Sequence, residues 1–305
     1  MHTNSDMTIA NASATHIGTG PATTHASNQG RTRPAVPTRE WLRKTALRLA
    51  LASVLVFCLL PIAFLVATSF KTRDEVLSGH FLPLAPTLAN WSTVFDIAPL
   101  HRNLLNSLAV ALVSVAVTLV IAVPATYAVV KLRRGPALAG ALLSSYVAPP
   151  VVALLPLFFM MRHAGLNNSI LGLGLVEGLM NVPVAFWLLR SFFKQVPVAL
   201  DEAAWLDGVG YWRTLWRVNL PLLWPGLVST GLICLILTYN EFLLASVLNS
   251  RPDIRTITVA ISLFQGERVV NFGQMAAASL VGIAPVYLVA LAFQKQLVGG
   301  LGAGR

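Results

Sequence analysis

Six stretches of 20 or more almost wholly apolar residues, at 46–69, 105–130, 138–161, 170–189, 222–245 and 274–293, separate short segments that hold nearly all the charge. A helix needs about 20 such residues to cross a hydrocarbon core of about 30 Å, because each residue adds about 1.5 Å. A water-soluble domain has no room to bury six of them, so the expected fold class is an all-α membrane protein of six transmembrane helices. The fourth stretch is the most polar, with Glu177, Asn181 and Pro183, as a helix inside a bundle would be. The chain is 55% hydrophobic and 11% charged, with a mean hydropathy of +0.69, which fits lipid as solvent.

The net charge of +10 does not point to nucleic acid, since the basic residues are scattered between apolar runs and form no stripe interleaved with aromatics. They orient the chain instead. With the N-terminus inside, fifteen Lys and Arg fall on inner segments and seven on outer ones, which predicts that both termini are cytoplasmic. Residues 1–45 are rich in Thr, Ser, Asn, Ala, Gly and Pro, too polar to offset the entropy of ordering, and read as a disordered cytoplasmic tail. The first apolar stretch is too long for a signal-peptide core and reads as a retained span. A transmembrane domain over 46–297 and a short cytoplasmic tail over 298–305 complete the organisation. The outer segment after the first span carries Pro83, Pro86 and Trp91, and suits either a structured cap or an interfacial piece.

Cys58 and Cys234 lie inside apolar runs, with no CxxC or His-rich neighbourhood, so neither a disulfide framework nor a metal site is implied. No catalytic constellation and no GxxxxGK[ST] phosphate loop appears, so the chain reads as non-catalytic, without a bound cofactor. Glu177, Asn240 and Glu241 are costly inside a span. Counted from their helix ends, both carboxylates fall near the outer boundary, where they are either solvated, paired with an arginine, or turned toward a solute. Asn181, nearer the membrane centre, is the other candidate for the solute route, because amides and carboxylates suit sugar hydroxyls.

The inner loop 191–221 is more than a connector. Pro197 opens a helix over 198–207, Gly208 stands where a left-handed stop is needed, and a second helical stretch, 211–219, runs into Pro221. Asp201, Glu202 and Asp207 offer carboxylates, Ala203 and Ala204 permit close backbone approach, and Trp205, Leu206, Trp212, Leu215 and Trp216 supply anchors of the interface type. The pair is either a rigid docking knob or an amphipathic hairpin lying on the bilayer.

The spacing Glu202-Ala203-Ala204, three residues, Gly208, nine residues, Val218-Asn219-Leu220-Pro221 resembles the EAA-x3-G-x9-I-x-LP loop of ABC importer permeases, with Val218 in place of Ile. The similarity extends to LPLFFMMRHAGLNNSILGL, VPVAFWLLRSFF, YNEFLLA, RTITVAI and QKQLVGGLGAG, which resemble the MalG-type inner membrane subunit of carbohydrate importers; Tyr239 stands where that family usually has Trp. The resemblance covers residue 46 to the C-terminus. It implies the type I importer permease fold, half of a translocation route shared with a second, homologous permease, and an extracytoplasmic solute-binding protein. It also implies a cytoplasmic ATPase dimer that uses the ATP and Mg. Glu202, Ala203, Ala204, Asp207, Gly208, Leu220 and Pro221 would seat on that ATPase, and Asn181, Tyr239, Asn240 and Glu241 are candidates for the solute route. The expected solute is a sugar, oligosaccharide or polyol; import of a polyamine, iron or glycerol phosphate is the alternative, and a secondary transporter would not need the loop.

Overall fold

The computed structural model of the protein describes residues 38–147, 150–265 and 271–294. The chain divides into two units, residues 1–54 and 55–305; the described part of the first is the start of helix α1, and the second holds every other described element. Among the described residues there is no strand. Most of the expected N-terminal tail, and the C-terminal residues 295–305, lie outside them.

Helix α1 (Thr38–Ser69) begins inside the segment expected to be a disordered tail. Arg43, Lys44 and Arg48 interrupt the apolar run and so set its apparent start at 46, but Arg, Lys, Leu and Ala are all strong helix formers, and helix continues wherever propensity allows. Two short helices, α2 (Arg73–Leu77) and α3 (Ala89–Ile97), structure the next segment. Its clasp is Glu75, whose carboxylate accepts from the backbone N–H groups of Ala85 at 2.7 Å, Leu84 at 3.0 Å and Thr72 at 3.3 Å. Those bonds, Ala85 foremost, hold its carboxyl below the usual range.

Helices α4 (Leu100–Val130), α5 (Pro136–Val147), α6 (Pro150–His163) and α7 (Ile170–Gln195) follow. The stretch 138–161, expected to be one span, is two helices whose axes differ by 100°. Pro150 opens the second of them; without an N–H it cannot bond back to the preceding turn. Helix α8 (Val198–Leu206) leads through a glycine turn to α9 (Tyr211–Thr214), a π turn (Leu215–Asn219) and α10 (Leu220–Tyr239). Expected to stop at Pro221, the second loop helix instead runs on, so that Tyr211–Tyr239 is a single 29-residue apolar helix. The fifth span ends at Tyr239 rather than at 245. Short helices α11 (Leu243–Leu248) and α12 (Ile257–Ser262) then precede α13 (Phe272–Ala292). Five of the described helices are long and apolar enough to cross a membrane, six if the bent α5/α6 pair counts as one.

The most extensive helix pairing is α4 on α7. Gly174 and Gly178, one turn apart on α7, make it possible: a Cβ at Gly174 would lie 2.6 Å from a Val113 methyl, and one at Gly178 would lie 2.7 Å from Val117 Cβ and 2.9 Å from the Ser114 carbonyl. In lipid, where apolar burial gives no drive, such small-residue seams and interhelical hydrogen bonds hold helices together. Thr118 adds one, donating to the Gly178 carbonyl at 2.8 Å. Gly178→Val is therefore expected to destabilise the bundle by about 1–3 kcal/mol through overpacking, read as a lowered melting temperature in detergent; an unchanged value would contradict this seam.

At one end of the bundle, Asn106 of α4 donates to the Asp253 and Arg255 carbonyls at 3.1 Å, and Ser107 accepts from Ile257 N–H at 2.8 Å. The other end carries α8. Between them, buried cores join α4, α7 and α10 around Tyr127, Leu189 and Phe193, and α3, α12 and α13 around Val94, Ile257 and Phe264.

Candidate functional site

At the α8 end, the chain turns twice and is bolted in place. Gly208 has φ +79°, a region that L side chains rarely enter, yet an added Cβ would meet nothing within 4 Å. The requirement is therefore conformational. Val209 N–H donates to the Ala204 carbonyl at 2.9 Å and Gly208 N–H to the Trp205 carbonyl at 3.0 Å, the paired bonds of a Schellman helix end.

Under α8, Asp201 is wholly buried and pairs with Lys131, at the end of α4, at 2.8 Å; their side chains are 0% and 2% exposed. Lys131 also donates to the Val196 carbonyl at 2.6 Å, and Asn219 of the π turn donates to the second Asp201 oxygen at 2.6 Å. The π turn, in which Leu220 N–H reaches back to the Leu215 carbonyl, adds a residue to the ladder just before α10. Three chain segments thus meet at one carboxylate. Asp201, which the sequence offers as a carboxylate for a partner, is buried in this ion pair, and Ala204, expected to seat on a partner, is buried on the same face. Burial follows from helix geometry, since residues three apart share one face.

The opposite face of α8 is open. Glu202, Ala203, Asp207 and Gly208 are exposed, and Leu206 is 88% exposed, an apolar tip that nothing in the chain covers among the described residues. Pro221 is also exposed, and Leu220 half-buried. Glu202 borders a cavity of about 340 Å³ with Lys131, Arg133, Arg134, Trp205 and Tyr211. The last two rings stack edge to face at 5.2 Å, and the Arg134 guanidinium lies 5.6 Å over Tyr211.

A second cavity of about 240 Å³ opens between α5, α6, α7, α10 and α11, and Tyr146, Pro150 and Leu237 of its lining are exposed. Glu177 and Asn181, one turn apart on α7, face Glu241, which follows the end of α10. Asn181 is fixed: its amide donates to Thr238 Oγ1 at 2.9 Å and Ser114 Oγ at 3.4 Å, and those hydroxyls bond each other at 2.8 Å. Glu241 is fixed too, accepting from the N–H groups of Leu244 at 3.0 Å and Ala245 at 3.1 Å as it caps α11. Glu177 is not solvated as a boundary residue would be; it is 4% exposed, interacts with Glu241, and leaves Oε1 without a hydrogen-bond partner among the described residues. Tyr146, Met180, Leu237 and Leu244 supply apolar walls.

Two candidates for the solute route lie elsewhere. Tyr239 is buried, its hydroxyl donating to the Gly282 carbonyl of α13 at 2.8 Å, so it ties two helices together. Asn240 is exposed, does not line this cavity, and donates back to the Ile236 carbonyl at 2.8 Å. Both departures follow from where α10 stops: with Asn240 as the helix cap, Tyr239 faces the last turn's core. Lys131 and Asn219 carry no mark of this junction in the sequence, the first because it counts there only as an orienting charge, the second because it fills a variable place in the loop pattern.

This is a multi-pass membrane bundle with an exposed loop helix at one end and a cavity that brings Glu177, Asn181 and Glu241 together. Residues 38–301 match the family of binding-protein-dependent transport system inner membrane components, and the chain belongs to it. Among its relatives, the sulfoquinovosyl glycerol transport system permease protein SmoH of Agrobacterium fabrum is 40% identical over 263 residues, covering 85% of this chain and 92% of the relative. The trehalose/maltose transport system permease protein MalG of Thermococcus litoralis is 32% identical over 270 residues, covering 87% and 97%. The fold is shared with a chain in the crystal structure of a bacterial ABC transporter involved in the import of the acidic polysaccharide alginate. There the TM-score is 0.70 at 22% identity, over 86% of this chain and 99% of that one.

Proposed function

We propose that this chain is one of two permease subunits of an ATP-driven importer, and that it forms half of a membrane route for a carbohydrate or related polyol. The observation that carries the reading is the family membership joined to the cavity lined by Glu177, Asn181 and Glu241. Its carboxyl and amide groups against apolar walls suit the mixed hydroxyl and C–H surface of a sugar. Relatives named for glycoside and disaccharide transport support the solute class.

In this reading the exposed face of α8, with Glu202, Ala203, Asp207 and Gly208 and flanked by Leu220 and Pro221, seats on a cytoplasmic ATPase that binds the ATP and Mg. Both termini lie on that side, and a solute-binding protein docks at the opposite end. Closure of the ATPase moves α8 as a rigid body, and the Lys131–Asp201–Asn219 junction passes the movement to α4 and α10. The test is uptake of labelled sugars by cells carrying the whole system. Loss of the partner ATPase is expected to reduce uptake to background, and uptake that survives would overturn the class.

A further inference from the structure

The helix that carries the loop into the bundle is longer than the hydrocarbon requires. Tyr211–Tyr239 has 29 residues and reaches about 43 Å, whereas about 20 residues cross the hydrocarbon and about 40–45 Å spans the bilayer with its headgroup layers. Counted back from Tyr239, the excess is Tyr211–Asn219, which passes through the headgroup layer. Its side chains suit that depth. Trp212, Arg213, Trp216 and Arg217 are all exposed. The two indole rings meet edge to face with centroids 6.4 Å apart, which puts them on one side of the helix, and Arg213 and Arg217 follow them at the same one-turn spacing. Trp224, also exposed, continues the aromatic line into the apolar part. Tryptophan settles where lipid meets water, and arginine at that level meets phosphate. Among the described residues, no hydrogen bond or ion pair occupies either guanidinium; the exposed carboxylates of the loop, Glu202 and Asp207, pair with neither.

We infer that Tyr211–Asn219 is a binding site for anionic phospholipid, with Arg213 and Arg217 on the headgroup phosphates and Trp212 and Trp216 at the edge of the acyl chains. A phosphatidylcholine headgroup cancels its phosphate with its own cation, so two unpaired arginines favour a lipid of net negative charge. Lipid suits the depth better than protein does, because an acidic partner would have to enter the headgroup layer to reach Arg217. The site bears on coupling: Asn219, in the same segment, donates to Asp201 at 2.6 Å, so headgroups that hold the arginines also steady the junction under α8. The importer reading supplies only the leaflet, the cytoplasmic one.

The test is the melting temperature of the detergent-purified complex of both permeases and the ATPase, titrated with dioleoyl phosphatidylglycerol, dioleoyl phosphatidylcholine or glycerol 3-phosphate. Phosphatidylglycerol is expected to act at about 30-fold lower concentration than phosphatidylcholine, the combined worth of two arginines at an anionic surface. Arg213→Gln with Arg217→Gln should narrow that ratio to about threefold or less, with the ATPase still co-purifying, while Arg213→Lys with Arg217→Lys keeps most of it. Equal action of the two lipids on the unaltered complex would overturn the lipid site and leave the importer reading standing; that reading falls only if uptake survives loss of the ATPase. A shift with glycerol 3-phosphate equal to that with phosphatidylglycerol would make this a site for free phosphate and overturn the lipid. Loss of the ATPase from the glutamine variant, with the lipid preference intact, would assign the arginines to a protein partner instead.

Discussion

Asp201→Ala is expected to destabilise the assembled permease by about 3–5 kcal/mol, the range for breaking one side of a buried ion pair. The variant leaves the Lys131 ammonium, 2% exposed, with only the Val196 carbonyl, and takes from Asn219 its acceptor at 2.6 Å. Much of the loss comes from the stranded charge and not from the missing attraction. A neutral version should therefore recover most of it. Lys131→Met with Asp201→Asn removes both charges and keeps an acceptor for Asn219. Melting temperature in detergent should fall sharply in the single variant and return by more than half in the double one. Equal losses in both would mean that the attraction between Lys131 and Asp201, and not the cost of a stranded charge, is what holds α8 to α4.

The second large effect concerns the exposed face. Glu202→Lys reverses a charge that no hydrogen bond or ion pair described within the chain requires, and places it beside Arg133 and Arg134. Folding should be unaffected, as at most exposed positions. If α8 is the seat of the ATPase, the loss falls on docking. At a central interface residue it amounts to about 2–4 kcal/mol, roughly 30- to 1,000-fold in affinity. Gly208→Leu reaches the same result by another route. A side chain at φ +79° costs about 1–2 kcal/mol, and refusing that conformation undoes the helix end that aims Glu202 and Ala203. The two variants act through independent physics, so agreement between them argues for the docking face itself.

Length and apolarity of the spans were legible in the sequence, because a hydrocarbon layer imposes both. Their ends were less so. Helix continues past the apolar run wherever propensity permits, as at Thr38–Ser69, and a π turn leaves no mark in composition, so Tyr211–Tyr239 read as two pieces. The angle at Pro150 depends on packing that no local pattern encodes. In the loop, the Gly208 stop followed from glycine's conformational freedom, whereas the role of Asp201 depended on Lys131, 70 positions away and visible only once α4 and α8 meet. Glu177 stood out as a costly residue, and counting along one helix placed it at a wet boundary. Its closeness to Glu241 is a property of three helices together.

In the proposed function, a separate ATPase drives this bundle through α8. ATP-driven uptake of labelled sugar into proteoliposomes tests it most directly, comparing the complete complex with one carrying Glu202→Lys at equal incorporation and equal melting temperature. Uptake is expected to fall to background in the variant while the bundle stays folded. Uptake at the unaltered rate would contradict it.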